Sequence, residues 1–230
     1  MTAAQSFPDY RIEESLLSKG YIIGVDEAGR GPWAGPVCAA AFWIDPRSQD
    51  KMPKGLHDSK KISAKKRSDI EAQLRDLHDR GFHDFEAATA SVDEIDTLGI
   101  LPANFAAMGR AVDRLAKRLL QIDPLGLAMA GTCQIGAVLV DGNLVPPLQY
   151  PATAYVKGDG RILSIAAASL IAKQTRDAIM AELHSDYPHY GWDSNQGYGT
   201  KAHQQGLDRH GITPHHRRSF APIKKRLPSS

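Results

Sequence analysis

The sequence predicts an α/β protein with one mixed central β-sheet flanked by helices and a small helical C-terminal appendage. Three observations carry that expectation. Two apolar, β-rich runs, residues 21–25 (YIIGV) and 36–44, stand close together on either side of a Gly/Pro turn. Two long Ala- and Leu-rich stretches, 102–121 and 162–184, follow later and alternate with short β-like segments. The last forty residues are dense in Gly, His and Arg and read as short helices and loops lying against the sheet.

Taken in order, residues 1–20 form a lead-in, 21–186 the main domain and 187–230 the appendage with its basic tail. Runs 21–25 and 36–44 are adjacent strands. Ser63 opens a helix that continues to His78, and 82–90 alternates like another strand. Residues 102–121 form a long amphipathic helix, although Pro102 and Asn104 are expected to interrupt it. Segments 137–140 and 154–156 are short strands, each ending at an acid, and 128–136 reads as a loop inserted before the first of them. Residues 162–184 make a buried helix.

Composition excludes several classes. The 230 residues carry 28 Lys plus Arg against 26 Asp plus Glu, for a net charge of +2, and 42% are hydrophobic. That suits one globular domain, and 20 Gly and 14 Pro without a period exclude a collagen-like chain. The longest apolar runs are about half the ~20 residues a membrane helix needs, so a soluble protein is expected. The opening MTAAQSFPDYRIEE lacks a basic region followed by an apolar stretch, which points to the cytoplasm. Cys38 and Cys133 show no metal-ligand spacing and read as buried small apolar residues.

The small net charge conceals an uneven distribution. Residues 51–67 and 200–230 each hold seven Lys or Arg against one Asp, which leaves −10 on the rest. A single basic run is ordinarily a solvated face. Two of them around an acidic body suit a polyanion held along basic flanks over a site that needs its own cations.

The acids that stand out follow strands: Asp26 and Glu27 after YIIGV, Asp141 in VDGN, Asp159 in VKGD. Taken singly, Asp141 and Asp159 read as turn formers. As a set they would gather where ligands collect, at carboxyl ends of strands. Clustered carboxylates repel, and all-oxygen donors favour Mg²⁺ or Mn²⁺, a pair of which can activate water and stabilise the leaving oxygen in phosphodiester hydrolysis. Alternation along a strand keeps Asp26 and Glu27 from entering one site unless the strand twists or ends there, and Gly29 and Gly31 make such an ending reasonable. Residues 29–34 also fit G-x-G-x-x-A, but they lead into a β-like run and not a helix, which argues against a dinucleotide-dependent oxidoreductase. Gly29, Arg30 and Gly31 are better placed to bring backbone groups close to a sugar, with Arg30 free for phosphate.

YIIGVDEAGRGPWAGPV, HDSKKIS, VDGN, VKGD followed by SIAAASLIAKQTRD, and YPHYGWDSNQGYGTKAH together resemble the ribonuclease HII family, from about Tyr21 to Pro222. The resemblance implies a ribonuclease H-like fold for the catalytic domain. It implies endonucleolytic cutting on the 5′ side of ribonucleotides, in RNA–DNA hybrids and singly embedded in duplex DNA, leaving a 3′-hydroxyl and a 5′-phosphate. It assigns Asp26, Glu27, Asp141 and Asp159 as catalytic, metal-holding acids, Gly29, Arg30 and Gly31 as the sugar-reading turn, and Tyr198 as the ring that stacks at the deoxyribose side. Ser59, Lys60, Lys61 and Lys201 resemble phosphate-contacting positions. Fewer residues precede the first strand than the extra N-terminal domain of the sister ribonuclease HIII family would need. A replication clamp is a conceivable partner for the tail PIKKRLPSS, and a monomer is the default. The competing class is a non-catalytic nucleic-acid-binding module using the two basic runs and Tyr198.

The remaining candidates have plainer readings. His203, His210, His215 and His216 read as solvated or packed. Lys173 and Asp177 read as a helical ion pair, and Ser164 and Ser169 as capping or packing residues. Trp33 stands where a smaller aliphatic residue is expected.

Overall fold

Ile22, Ile23 and Val25 are almost wholly buried, which places their strand at the centre of the sheet. The structure, a computed structural model, describes residues 7–56, 64–122 and 133–228. Its five strands are β1 (Tyr21–Ala28), β2 (Val37–Ile44), β3 (His83–Ala90), β4 (Ile135–Asp141) and β5 (Ala152–Tyr155), in the order β3-β2-β1-β4-β5. The sheet is mixed: β1 pairs antiparallel with β2 and β2 with β3, while β1, β4 and β5 run parallel. Parallel pairing brings the carboxyl ends of β1, β4 and β5 to one edge.

Helices cover both faces. The helix α4 (Ile100–Ile122) buries Ala107, Met108, Ala111, Leu115 and Leu119, a three-and-four spacing, against Ile23, Val25 and Val140. On the other face α5 (Leu163–Asp186) presents small Ala residues that lie close against β1 and β2, and α2 (Ala64–Asp79) adds Ile70 and Leu74 beside Phe42 and Ile44. Truncating a core residue such as Leu115 to Ala would cost about 2–5 kcal/mol. The short α1 (Arg11–Leu16) carries the buried Glu13, whose carboxylate accepts from the Ser164 N–H at the start of α5 (2.8 Å). A capping box of Ser91 and Glu94 starts α3 (Val92–Leu98). The C-terminal region contains α6 (Trp192–Asn195), α7 (Lys201–His210), capped by Thr200, and α8 (Ala221–Lys224).

Three expectations are corrected. Pro102 and Asn104 do not interrupt α4; Pro102 falls in the first turn, where a missing N–H has no helical partner to lose, and Asn104 is buried. Cys133 is exposed, because it lies just outside the start of β4 and not within the sheet, whereas Cys38 is buried. Ile135 and Gly136 belong to β4, and residues 128–132 of the expected loop lie outside the described residues.

Edge strand β3 is fenced by side chains. Arg118 of α4 donates to the carbonyl of Phe85 and pairs with Asp84 and Glu86; Arg110 donates to the carbonyl of Thr89; His78 of α2 hydrogen-bonds the carbonyl of His83. No described helix is long and apolar enough to cross a membrane.

Candidate active site

The register Val25↔Val140 sets Asp26 and Asp141 side by side at the ends of β1 and β4, and Asp141↔Tyr155 brings in the end of β5. Beyond β5, Lys157 takes a left-handed conformation (φ 56°) and the chain turns through a 3₁₀ segment, Gly158–Gly160, which returns Asp159 to the same place. Asp26, Asp141 and Asp159 each offer an oxygen atom within 4.8 Å of the others. The Gly158 N–H donates to Asp141 (2.7 Å) and the Glu27 N–H to Asp26 (2.7 Å). Asp26 is only 5% exposed and also hydrogen-bonds Ser169. Burial, then the charges of Glu27 and Asp141, hold its carboxyl well above the usual range. Two such charges 4 Å apart repel by roughly 4 kcal/mol at an effective dielectric of about 20. Among the described residues neither Asp26 nor Asp141 pairs with Lys or Arg. Three crowded carboxylates with oxygen donors only fit a hard divalent cation such as Mg²⁺ or Mn²⁺.

Glu27 stands apart from this group. The strand continues to Ala28 and its alternation holds, so Asp26 faces α5 and Glu27 faces α4. There Glu27 pairs with Arg30 (3.3 Å) and takes a hydrogen bond from the Asn104 side chain. Burial raises its carboxyl against the pull of Arg30, and Asp141 adds to the rise. Glu27 therefore feels the charges of Asp26 and Asp141 while lying outside the 4.8 Å group.

The glycine turn after β1 leads into β2 without an intervening helix, which removes the dinucleotide-binding reading. Its backbone is held by two buried guanidinium groups. Arg217 donates to the carbonyls of Gly29 (2.6 Å), Arg30 (3.0 Å), Gly35 (2.9 Å) and Pro36 (3.1 Å). Arg176 of α5 donates to those of Ala34 (3.1 Å), Pro36 (3.0 Å) and Gln196 (2.9 Å). Gly29, at φ 94°, has no space for a side chain, since a Cβ would meet Arg176 Nε at 2.0 Å. Burial and the neighbouring Arg176 pull the Arg217 guanidinium down to about 9. Trp33 fills the gap between turn and appendage: its ring lies over Gly199, where a Cβ would approach it to 2.1 Å.

A cleft of about 510 Å³ opens between these parts, lined by Glu27, Arg30, Gly31, Ser169, Gln196 and Tyr198. Tyr198 is half exposed and its ring edge lies near Gly31. Lys201 opens α7 and is exposed, and Ser59, Lys60 and Lys61 lie outside the described residues. A larger cavity of about 630 Å³ beside Tyr10 and Met52 has no carboxylate cluster at its walls. Lys173 and Asp177 form the expected helical ion pair. Ser169 does more than pack, because it supports Asp26. Arg176, Arg217, Asn104 and Gln196 carry no local sign of their positions. Their partners are distant in sequence, and only the density of Arg in the last segment pointed there.

The ribonuclease HII family model matches residues 23–223. The chain belongs to the ribonuclease HII family. A curated ribonuclease HII from Magnetococcus marinus is 50% identical over 226 residues, covering 96% of each chain. Solved folds agree. A ribonuclease H2 from Pyrococcus horikoshii superimposes with a TM-score of 0.62 at 24% identity, covering 89% of this chain and 96% of that one. Bst-RNase HIII, solved in complex with Mn²⁺, gives 0.67 at 18%, covering 92% and 71%. Family membership makes the protein a ribonuclease H enzyme that acts on RNA–DNA hybrids, and it removes the non-catalytic binding module.

Proposed function

We propose that the enzyme hydrolyses the phosphodiester on the 5′ side of ribonucleotides, both in RNA–DNA hybrids and singly embedded in duplex DNA, leaving a 3′-hydroxyl and a 5′-phosphate. The observation that carries this reading is the convergence of Asp26, Asp141 and Asp159, with Asp26 held by Ser169, a residue that lines the same cleft as Glu27, residues 29–31 and Tyr198. Asp26, Asp141 and Asp159 would hold two divalent ions, Mg²⁺ or Mn²⁺, with Glu27 completing the set from the neighbouring face. Bound there, such ions lower the pKa of a water and stabilise the charge that builds on the leaving oxygen.

The chain's own residues do the rest. Ser169 and the Glu27 N–H fix the Asp26 carboxylate, and the Gly158 N–H fixes Asp141, so that the oxygens are set before substrate arrives. The Gly29–Arg30–Gly31 backbone would pair with the ribose 2′-hydroxyl, and pure DNA would leave those groups unpaired, a mismatch able to discriminate about 10⁴-fold. Arg30, Lys201, Ser59, Lys60 and Lys61 would take phosphates, and Tyr198 would stack on the deoxyribose side of the junction. We place this monomeric enzyme in the cytoplasm, in excision of ribonucleotides from newly replicated DNA, with the basic tail contacting DNA or a replication clamp.

The test is a labelled DNA duplex with one ribonucleotide, beside an all-DNA duplex, incubated with Mg²⁺ and then Mn²⁺. Cleavage confined to the 5′ side of the ribonucleotide is expected. Asp141→Asn should lower kcat by about 10³-fold or more while the duplex still binds. Cutting of the all-DNA duplex, or retained turnover in Asp141→Asn, would refute the reading.

A further inference from the structure

His203 and His216 are both fully buried, beneath Trp192 and Tyr190, and each ring nitrogen has a partner. The indole N–H of Trp192 lies 3.2 Å from His203 Nε2, and an indole N–H can only donate, so His203 Nε2 accepts. Nδ1 of His203 then carries the proton and donates to the carbonyl of Tyr198 (3.0 Å). The Thr213 N–H donates to His216 Nδ1 (3.0 Å), which leaves the His216 proton on Nε2, and that nitrogen donates to His203 Nε2 (3.0 Å). Both imidazoles are neutral in this arrangement, and His203 Nε2 is an acceptor shared by Trp192 and His216. The result is a directed chain from Thr213 through His216 and His203 to the backbone of Tyr198.

Tyr198 stands in the wall of the cleft, and His216 adjoins the glycine turn that forms the facing wall. At one end the Tyr198 ring lies beside Gly31, where a Cβ would stand 3.4 Å from Tyr198 Cε1. At the other end His216 is followed by Arg217, which holds the carbonyls of Gly29 and Arg30. His216 also bridges to Ala34 within the glycine turn. The two walls of the cleft are thus tied to each other through buried groups that touch no substrate.

We propose that His203 and His216 are positioning residues that set the gap between Tyr198 and the glycine turn, and so determine how well the enzyme recognises a ribose–deoxyribose junction. The proposal rests on the reading of Tyr198 as the junction-stacking ring. A side chain that stacks on a base must be held at the right height, and the Tyr198 ring is half exposed, so its main chain has a large share in setting that height. The imidazole chain acts through that main chain.

The experiment is a double-mutant cycle on the full chain with Mg²⁺, read as kcat and KM on a duplex with one ribonucleotide and on a uniform RNA–DNA hybrid. His203→Phe keeps the ring volume and removes both nitrogens. It is expected to raise KM on the single-ribonucleotide duplex about tenfold, the weight of one lost hydrogen bond, with a smaller effect on kcat and on the uniform hybrid. His203→Asn retains a donor where Nδ1 stands and should recover most of the loss. In a Tyr198→Ala background His203→Phe should add nothing further. Additive losses, or an equal fall in kcat on both substrates, would overturn the proposal. If His203→Phe does not fold, His216→Asn, which keeps an acceptor for the Thr213 N–H and breaks only the link between imidazoles, carries the same cycle with the same readings. A wild-type enzyme that leaves the single-ribonucleotide duplex uncut overturns the functional reading and the junction role together; additivity in an active enzyme overturns the imidazole chain alone.

Discussion

Two charge clusters of opposite sign flank the end of β1, and they are stabilised in different ways. At the ends of β1, β4 and β5 the aspartates crowd together with Asp26 and Asp141 unpaired by any cation. Beyond β1, Arg176 and Arg217 are as deeply buried and equally without an ion-pair partner among the described residues, yet seven carbonyl contacts surround them. Backbone dipoles satisfy the arginines from within the fold. Asp26 and Asp141 are met by N–H groups and a serine and, among the described residues, by no cation, so their charge is available to one from outside. The arginine cluster is therefore structural and the aspartate cluster chemical, and substitution should separate them.

The largest expected effect on stability is at Arg217. Arg217→Met would remove the guanidinium donor from the carbonyls of Gly29, Arg30 and Gly35, while Pro36 keeps Arg176, and should cost about 3–5 kcal/mol, a fall in Tm of roughly 10 °C, visible in a thermal melt. Retained stability would break the contrast from the arginine side. Asp26→Asn should act in the other direction: with chelator present, removing a repelled buried charge should raise stability by about 1 kcal/mol. Adding Mn²⁺ should then raise the Tm of the wild type and leave that of Asp26→Asn nearly unchanged. An equal metal response in both proteins would mean that Asp26 is not a ligand.

Acid should act on the appendage through its imidazoles. Burial lowers the pKa of His203 and takes that of His216 to about 3, from an ordinary value of 6.5. A lowered folded pKa gives stability that is complete above 6.5 and is lost as pH falls from there towards the folded value. His216 should cost about 1 kcal/mol per pH unit in that window, and His203 adds in the same direction, so hydrogen exchange in residues 197–216 should quicken between pH 6.5 and 4 before exchange in β1 does. Simultaneous opening would show that appendage and sheet unfold as one unit. The smallest effect concerns Gly199, where Ala must displace the Trp33 ring; a loss of about 1–3 kcal/mol is expected, and Trp33→Leu should relieve it.

The two clusters also differ in how visible they were in the sequence. Each acid follows an apolar run, so a strand-end argument isolated all four; the pleat raised the conflict between Asp26 and Glu27, but the ending expected to admit both does not occur, since β1 runs on to Ala28 and the two part. The β-rich runs and the Ala-rich helix were legible for the same reason: their patterns repeat within a few residues. Arg176 and Arg217 were not, since their partners lie 20 to 188 residues away in sequence and are main-chain carbonyls, which every residue carries. Ser169 looked like helix packing because only the docking of α5 on β1 turns it towards Asp26. Pro102 looked like a break because its place in the first turn of α4 depends on where the helix begins. The histidines were read as solvated or packed, and His210 is exposed while His203 and His216 are buried, but nothing in the sequence marks those two as hydrogen-bonded to each other.

The fence along β3 bears on how the chain reaches this state. A sheet rim is where one polypeptide can add its backbone to another, and here the rim is closed by Arg110 and Arg118 from α4 and His78 from α2. None of these caps belongs to β3 itself. Until both helices have docked, β3 presents bare carbonyls to any neighbouring chain, so the vulnerable period in folding is the interval between sheet formation and helix docking. Slowing that docking would favour aggregation of nascent molecules without altering a single contact of the finished enzyme's catalytic cleft.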